Sequence, residues 1–290
     1  MIKNRTALIF GGNGFLGSHV VDELVLKKYK VTIFDKVDRS WRNKKAKFIK
    51  GNISNQRLLE NHIKKNKIIY NFAGVSDLDK AIQKPVDTIK FNILANARML
   101  DLCAKYDIQR YIFSSSIYAN SSEGGFYRCS KLSAEQYIIE FSKIRKVPFT
   151  ILRYGSLYGL RSGFNNRVKK IIYNAKKNKK FVYFGSKNSI RKYIHVEDAA
   201  KASVGILKKK YRNKIIVLTG KKSYYIKNIF MFLSKHLMID KKQIKYKKMN
   251  DNGHYIKKPK IYKIDHGKVY NFPRPKNFYL ELKKMIGIIN

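Results

Sequence analysis

Tyr127 and Lys131 stand four residues apart in the run Tyr-Arg-Cys-Ser-Lys. On a helix that spacing stacks the two side chains on one face. An ammonium beside a phenol, together with the positive charge of a bound cofactor, stabilises the phenolate, so a tyrosine placed this way is expected to titrate below its ordinary value of about 10. Such a phenolate can remove a proton from a substrate hydroxyl. A Tyr and a Lys at this spacing recur by chance in a chain with 20 tyrosines and 63 lysines and arginines, so context decides. Here the context is a hydroxyl-rich strand end. Tyr111-Ile112-Phe113 runs into Ser114-Ser115-Ser116, and one of these hydroxyls would polarise the reacting oxygen. Register along the strand favours Ser115, whereas spacing back from Tyr118 favours Ser114, and both stay open. The connection from the serines to Tyr127 is brief, with Gly124-Gly125 just before Phe126.

A second constellation is built for phosphate. The run Ala7-Leu8-Ile9-Phe10-Gly11-Gly12-Asn13-Gly14-Phe15-Leu16-Gly17 reads as a buried strand, a tight glycine turn and the start of a helix. Gly11 permits the turn, Gly14 lets the backbone approach a pyrophosphate, and Gly17 lets helix and strand pack closely. Backbone N–H groups at the helix start then bind the anion without any lysine. A glycine trio alone is weak evidence, but this one sits at the strand-to-helix junction that dinucleotide binding requires. Asp35 closes the next strand, Val31-Thr32-Ile33-Phe34. A carboxylate there accepts hydrogen bonds from the adenosine ribose and repels the 2′-phosphate of NADP, which favours NAD.

The elements that must hold these groups alternate along the first half. Strands are expected at 7–10, 30–34, 48–50, 68–72, 111–114 and 149–153, with a helix over 15–28. This β-α-β rhythm predicts an α/β fold with a doubly wound, mainly parallel sheet. Residues 1–155 would form the dinucleotide-binding domain. Residues 156–290 would form a smaller, mainly substrate-binding region with segments returning to the sheet. Within it a strand is expected at 181–184 and a helix at 196–208, and Pro259, Pro273 and Pro275 break the tail into short pieces.

Taken together in their order along the chain, these segments resemble the extended short-chain dehydrogenase/reductases, the family of NAD-dependent nucleotide-sugar epimerases and dehydratases. Gly51-Asn52-Ile53 resembles the adenine-contacting segment, although the family usually has Asp where Asn52 stands. Asn71-Phe72-Ala73-Gly74 resembles the strand end beside the cofactor, and Asn92 falls on a structural asparagine of the family. Leu152-Arg153-Tyr154-Gly155-Ser156-Leu157-Tyr158-Gly159 and Ile190-Arg191-Lys192-Tyr193-Ile194-His195-Val196-Glu197-Asp198 resemble the later segments that lead into the substrate region. The resemblance implies an NAD site made by Gly11, Asn13, Gly14, Phe15, Leu16, Gly17, Asp35, Asn52, Ile53, Phe72, Ala73, Gly74, Asn92, Tyr127, Lys131 and Tyr154. It implies catalysis by Tyr127, Lys131 and Ser115 or Ser114, and substrate contacts from Ser76, Ser116, Arg161 and Arg191. Arg191 is the leading candidate for a bidentate diphosphate contact. His195, a lone histidine after an apolar strand, is read as a packed core residue.

The resemblance further implies oxidation at C4 of a nucleotide-diphosphate sugar, as a 4-epimerase or a 4-dehydrogenase. The family's 4,6-dehydratases carry an Asp-Glu pair just after the catalytic hydroxyl. Here no carboxylate follows Ser116-Ile117 until Glu123, which disfavours dehydration. Helices around 92–106 and 127–144 carry apolar residues on more than one face, which points to a homodimer.

The totals fit this reading. The only cysteines, Cys103 and Cys129, are too few for a disulfide framework or a cysteine zinc site, so no metal is expected. No run approaches a membrane span and no leader pattern opens the chain, so a cytoplasmic enzyme is expected. The net charge of +44 is carried mainly by scattered lysines. A bland solvated surface is favoured over a nucleic-acid partner. The rival class, a non-catalytic RNA- or polyanion-binding protein on the same fold, predicts salt-dependent RNA binding that survives loss of Tyr127 and Lys131.

Overall fold

The computed structural model describes residues 5–247 and 267–289, so Pro259 lies outside the described residues. Strands β1 (Thr6–Phe10), β2 (Lys30–Asp35), β3 (Lys47–Lys50), β4 (Ile68–Asn71), β5 (Arg110–Ser116) and β6 (Phe149–Tyr154) build one end of a single large sheet. Two segments of the second half, Lys214–Leu218 and Lys268–Val269, add to it beyond β6. The order is 268–269, 214–218, β6, β5, β4, β1, β2, β3, and every pairing is parallel. The order reverses between β1 and β4, so their carboxyl ends diverge into a crevice at that point. Parallel strands need crossovers, and helices on both faces cover the sheet. That is why Ile68–Asn71 and Phe149–Tyr154 are buried along their whole length rather than at alternate positions.

Helix Phe15–Leu26 shows how the sequence makes these layers. Leu16, Val20, Val21 and Leu24 recur at helical spacing and are buried against the sheet and the helix Val196–Gly205. Each such side chain contributes about 1.5–3 kcal/mol of burial. The opposite layer holds helices Gln56–Ile63, Ala95–Lys105 and Gly125–Arg145 over Leu8, Phe10, Tyr111 and Phe113. A third core gathers Tyr158, Ile172, Phe181, Phe230 and Leu282 from the second half. Small parallel pairs, Ser156–Tyr158 with Tyr193–His195 and Phe181–Phe184 with Ile244–Lys247, frame it. Among the described residues no helix is long and apolar enough to cross a membrane.

His195 joins the first and third cores. It is 4 % exposed, and its Nδ1 accepts the Glu197 N–H at 3.3 Å, capping helix Val196–Gly205. Its ring lies edge-on to Tyr158, with centroids 5.1 Å apart. Burial, aided by the charge of Lys276, pushes the imidazole down to about 4. In the unfolded chain it titrates near 6.5, so between those values the unfolded state binds the extra proton. Stability from this group is therefore complete above the unfolded value and falls as pH drops towards 4. In His195→Asn the cap is retained and this proton is removed from the balance. Denaturant midpoints at pH 7 and pH 5 should show the variant losing less stability on acidification than the wild type, and equal losses would contradict the assignment.

Candidate active site

The carboxyl ends of β1, β4 and β5 open into a cavity of about 810 Å³. Gly11, at φ +73°, turns the chain out of β1, and a Cβ there would stand 2.8 Å from the backbone of Phe72 and Ala73. A Cβ on Gly17 would meet the Gly11 carbonyl oxygen at 2.2 Å. These two positions bring helix Phe15–Leu26 end-on to the turn, with Gly14 at its N-cap and Phe15 and Leu16 on the wall. Unpaired N–H groups therefore face the cavity, a cradle that fits a pyrophosphate. Asp35, Ile53, Phe72, Ala73, Gly74, Ser76 and Tyr154 also line it.

Four residues expected at the cofactor, Asn13, Asn52, Asn92 and Lys131, stand off the wall. Asn13 is buried to 1 % exposure, and its N–H donates to Asp35 Oδ2 at 3.0 Å and its Nδ2 to the Val37 carbonyl at 2.8 Å. The Asn13 carbonyl accepts the Trp41 indole N–H at 3.2 Å, so this residue ties the glycine turn to the loop after β2. Asn52 folds its side chain back to accept the Ser54 N–H at 3.0 Å, a local turn at the surface. Asn92 lies in a widened π-type turn, Ile89–Leu94. Its Oδ1 accepts the Val75 N–H at 2.7 Å, and its Nδ2 donates to the Val75 carbonyl and to Ser130 Oγ, both at 2.9 Å. It thereby clamps the segment after β4 to the helix that carries Tyr127.

At the centre, the Tyr127 hydroxyl is hydrogen-bonded to Ser116, and both residues are on the wall at 8 % exposure. The sequence-based choice between Ser114 and Ser115 is thus corrected. Strand β5 runs on to Ser116, two residues past its expected end, and side chains alternate along it. Ser115 points into the helical layer, where its Oγ donates to Glu135 at 2.5 Å. Ser114 offers its carbonyl, which accepts the Lys131 ammonium at 2.8 Å. Ser116 is the hydroxyl that reaches the phenol. The expected acidification of the phenol is not a property of the protein alone. Burial pushes Tyr127 up to about 12, a rise that the Ser116 bond only reduces. Burial also pushes Lys131 down to about 8, opposed by the Glu135 carboxylate one helical turn on. The ammonium lies 4.8 Å from the Phe113 ring centre and 5.8 Å from that of Tyr127.

The second half departs most from expectation. Arg161, in a left-handed backbone conformation at φ +63°, binds Asp22 of helix Phe15–Leu26 at 2.7 Å and stays off the cavity wall. Arg191 is buried, its guanidinium donating to Tyr183 Oη and the Ile190 carbonyl, each at 2.9 Å, and it too is off the wall. The wall there is made by Gly163, Asn165 and Asn166, none of which was singled out from the sequence. Asn166 caps helix Arg167–Asn178 by accepting the Lys169 N–H at 3.2 Å, and its Nδ2 holds the Leu157 carbonyl at 2.8 Å. A second helix N-terminus therefore faces the same cavity. Asn-Asn before a basic helical stretch was a readable N-cap signal. Lys36, Asp77, Lys80, Lys84 and Asp87 complete the charged part of the wall.

Comparison with known proteins follows the same lines. Residues 7–219 match the model of the NAD dependent epimerase/dehydratase family. A protein of Methanocaldococcus jannaschii provisionally named UDP-glucose 4-epimerase is 29 % identical over 238 residues, 74 % of this chain and 77 % of that one. A dTDP-D-glucose 4,6-dehydratase of Dictyostelium discoideum is 28 % identical over 70 % of this chain, which spans 55 % of that protein. The crystal structure of a Thermotoga maritima UDP-glucose 4-epimerase with UDP-glucose superposes with a TM-score of 0.82 at 22 % identity, covering 97 % of each chain. A Methanobrevibacter ruminantium UDP-N-acetylglucosamine 4-epimerase in complex with UDP-N-acetylmuramic acid gives 0.84 at 23 % identity, covering 99 % of this chain and 98 % of that one. With an 8-stranded parallel sheet, a glycine cradle and the matched span in agreement, the chain belongs to the NAD-dependent epimerase/dehydratase family, whose cofactor is NAD.

Proposed function

We propose that this protein oxidises C4 of a nucleotide-diphosphate sugar and returns the hydride to the opposite face, as a 4-epimerase. The observation that carries the reading is that the Ser116–Tyr127 pair opens onto the same cavity as the glycine cradle. Gly11, Gly14, Phe15, Leu16 and Asp35 would hold NAD, and Ser116 would hold the sugar oxygen. Held there, NAD would supply a hydride acceptor for C4 and a positive charge to the site. Tyr127 takes the C4 hydroxyl proton, and Lys131 keeps a positive charge within reach of the resulting phenolate. The N–H groups at the start of helix Arg167–Asn178 suit the substrate diphosphate. The Methanocaldococcus jannaschii relative, 29 % identical and provisionally named a UDP-glucose 4-epimerase, supports this outcome.

A second reading, 4,6-dehydration, is favoured by the 28 % identical dTDP-D-glucose 4,6-dehydratase of Dictyostelium discoideum and by Asp77, which brings a carboxylate to the wall beside Ser76. A 4-dehydrogenase would use the same residues. Incubation with UDP-, GDP- and dTDP-sugars separates the three by product. Inversion leaves mass and bound cofactor unchanged, dehydration removes water, and dehydrogenation accumulates NADH. No conversion of any C4-hydroxyl sugar would end the proposal.

Tyr127→Phe should lower turnover by at least about 10³-fold, and Ser116→Ala by about 10²–10³-fold, with NAD affinity retained in both. Full activity in Tyr127→Phe would remove the phenol from the mechanism. A homodimer is proposed as well. Phe126, Tyr137 and Ile144 are exposed by 52 %, 50 % and 72 %, and their spacing places them on one stripe of helix Gly125–Arg145. Sedimentation should give a dimer at micromolar concentration, and a stable monomer would contradict it.

A further inference from the structure

The helix Gly125–Arg145 carries a third functional-looking residue in register with Tyr127 and Lys131. Glu135 is one more turn along, at 0 % exposure. A carboxylate so deep needs partners, and it has two. Ser115 Oγ donates to Oε1 at 2.5 Å, and Arg153 of β6 grips both oxygens, Nε to Oε1 at 3.0 Å and Nη2 to Oε2 at 2.6 Å. The cluster joins the catalytic helix, the serine strand and the strand after it, directly beneath the reacting groups.

Lys131 has few other electrostatic neighbours. From β5 it meets the Ser114 carbonyl and the Phe113 ring face, and from its own helix the Tyr127 ring. Glu135 is the charged group that acts on it, with Arg153 standing behind Glu135. We propose that Glu135 is a positioning residue that keeps Lys131 protonated, and that Arg153 sets how strongly it does so by sharing the carboxylate's charge. Ser115 fixes the carboxylate to the strand that ends in Ser116, so the same contact holds hydroxyl, phenol and ammonium in one register. The inference rests on the proposed oxidation chemistry for its purpose, but not for its measurement.

The test follows the lysine's own proton. Acetylation of Lys131 by acetic anhydride, read peptide by peptide in a mass spectrometer across pH, yields its titration midpoint without substrate or turnover. Glu135→Gln leaves the Arg153 charge in place and should lower that midpoint by about one pH unit. Arg153→Met leaves the carboxylate unshared and should raise it, while Arg153→Lys keeps the charge and should restore the wild-type value. The alkaline limb of kcat/KM should move with the midpoint in each variant, which a loss of packing alone would not produce. If Glu135→Gln does not fold, Arg153→Met is compared with the double variant Glu135→Gln/Arg153→Met. These differ only in the Glu135 charge, and neutralising a buried pair is well tolerated. Equal midpoints in that comparison, or shifts of one sign in both single variants, would overturn the proposal. If the midpoints move as stated while no sugar is turned over, the reaction assignment fails and this one stands.

Discussion

An ammonium group 6 % exposed has left most of its hydration behind, and the rest of the site is organised around tolerating that. A displacement of Lys131 from 10.5 to about 8 corresponds to a burden on the order of 3 kcal/mol at neutral pH. The unfolded chain holds that proton more tightly, so this group contributes more to stability as pH rises from 8 towards 10.5. A lysine there opposes folding at working pH, which is characteristic of residues retained for chemistry. The compensation comes from ordinary sources: a strand carbonyl, the face of Phe113 and a carboxylate one turn away.

The same burial acts on the phenol in the opposite sense. Desolvation disfavours the charged form of either group, so it raises Tyr127 and lowers Lys131 together. Left to the protein, the pair rests as a neutral phenol beside a weakly held ammonium. On the proposed mechanism, the positive charge of an oxidised nicotinamide would work against the phenol's rise.

Much of this could be read from the residues. Strands β1 to β6, the glycine cradle and the Tyr127–Lys131 pair all carry local signals: buried apolar runs, a turn that only glycine fits, and a helical spacing. The serine could not be chosen because a run of three identical residues carries no phase. Alternation along a strand assigns faces only once its end is known, and β5 ends two residues later than its apolar stretch suggests. Arg161 and Arg191 stand off the wall for a related reason. Their types and neighbours suited a phosphate, but a left-handed backbone at one and a tyrosine hydroxyl at the other direct the guanidinium elsewhere. Asn92 was expected near the cofactor, and its contacts instead secure the loop beside it, a role that depends on Val75 and Ser130 coming together in space. The strand Lys214–Leu218 has the composition of a buried strand, whereas Lys268–Val269 is too short to leave a pattern at all.

The chain's single tryptophan stands where its surroundings matter most. Trp41 gives its indole N–H to the main chain of Asn13, inside the turn that cradles the pyrophosphate, with the Arg39 guanidinium 5.1 Å from its ring centre. Any occupant of that turn perturbs the indole's field and hydrogen bond. The protein therefore contains its own emission probe, placed at the dinucleotide end of the cleft and distinguishable by wavelength from its 20 tyrosines.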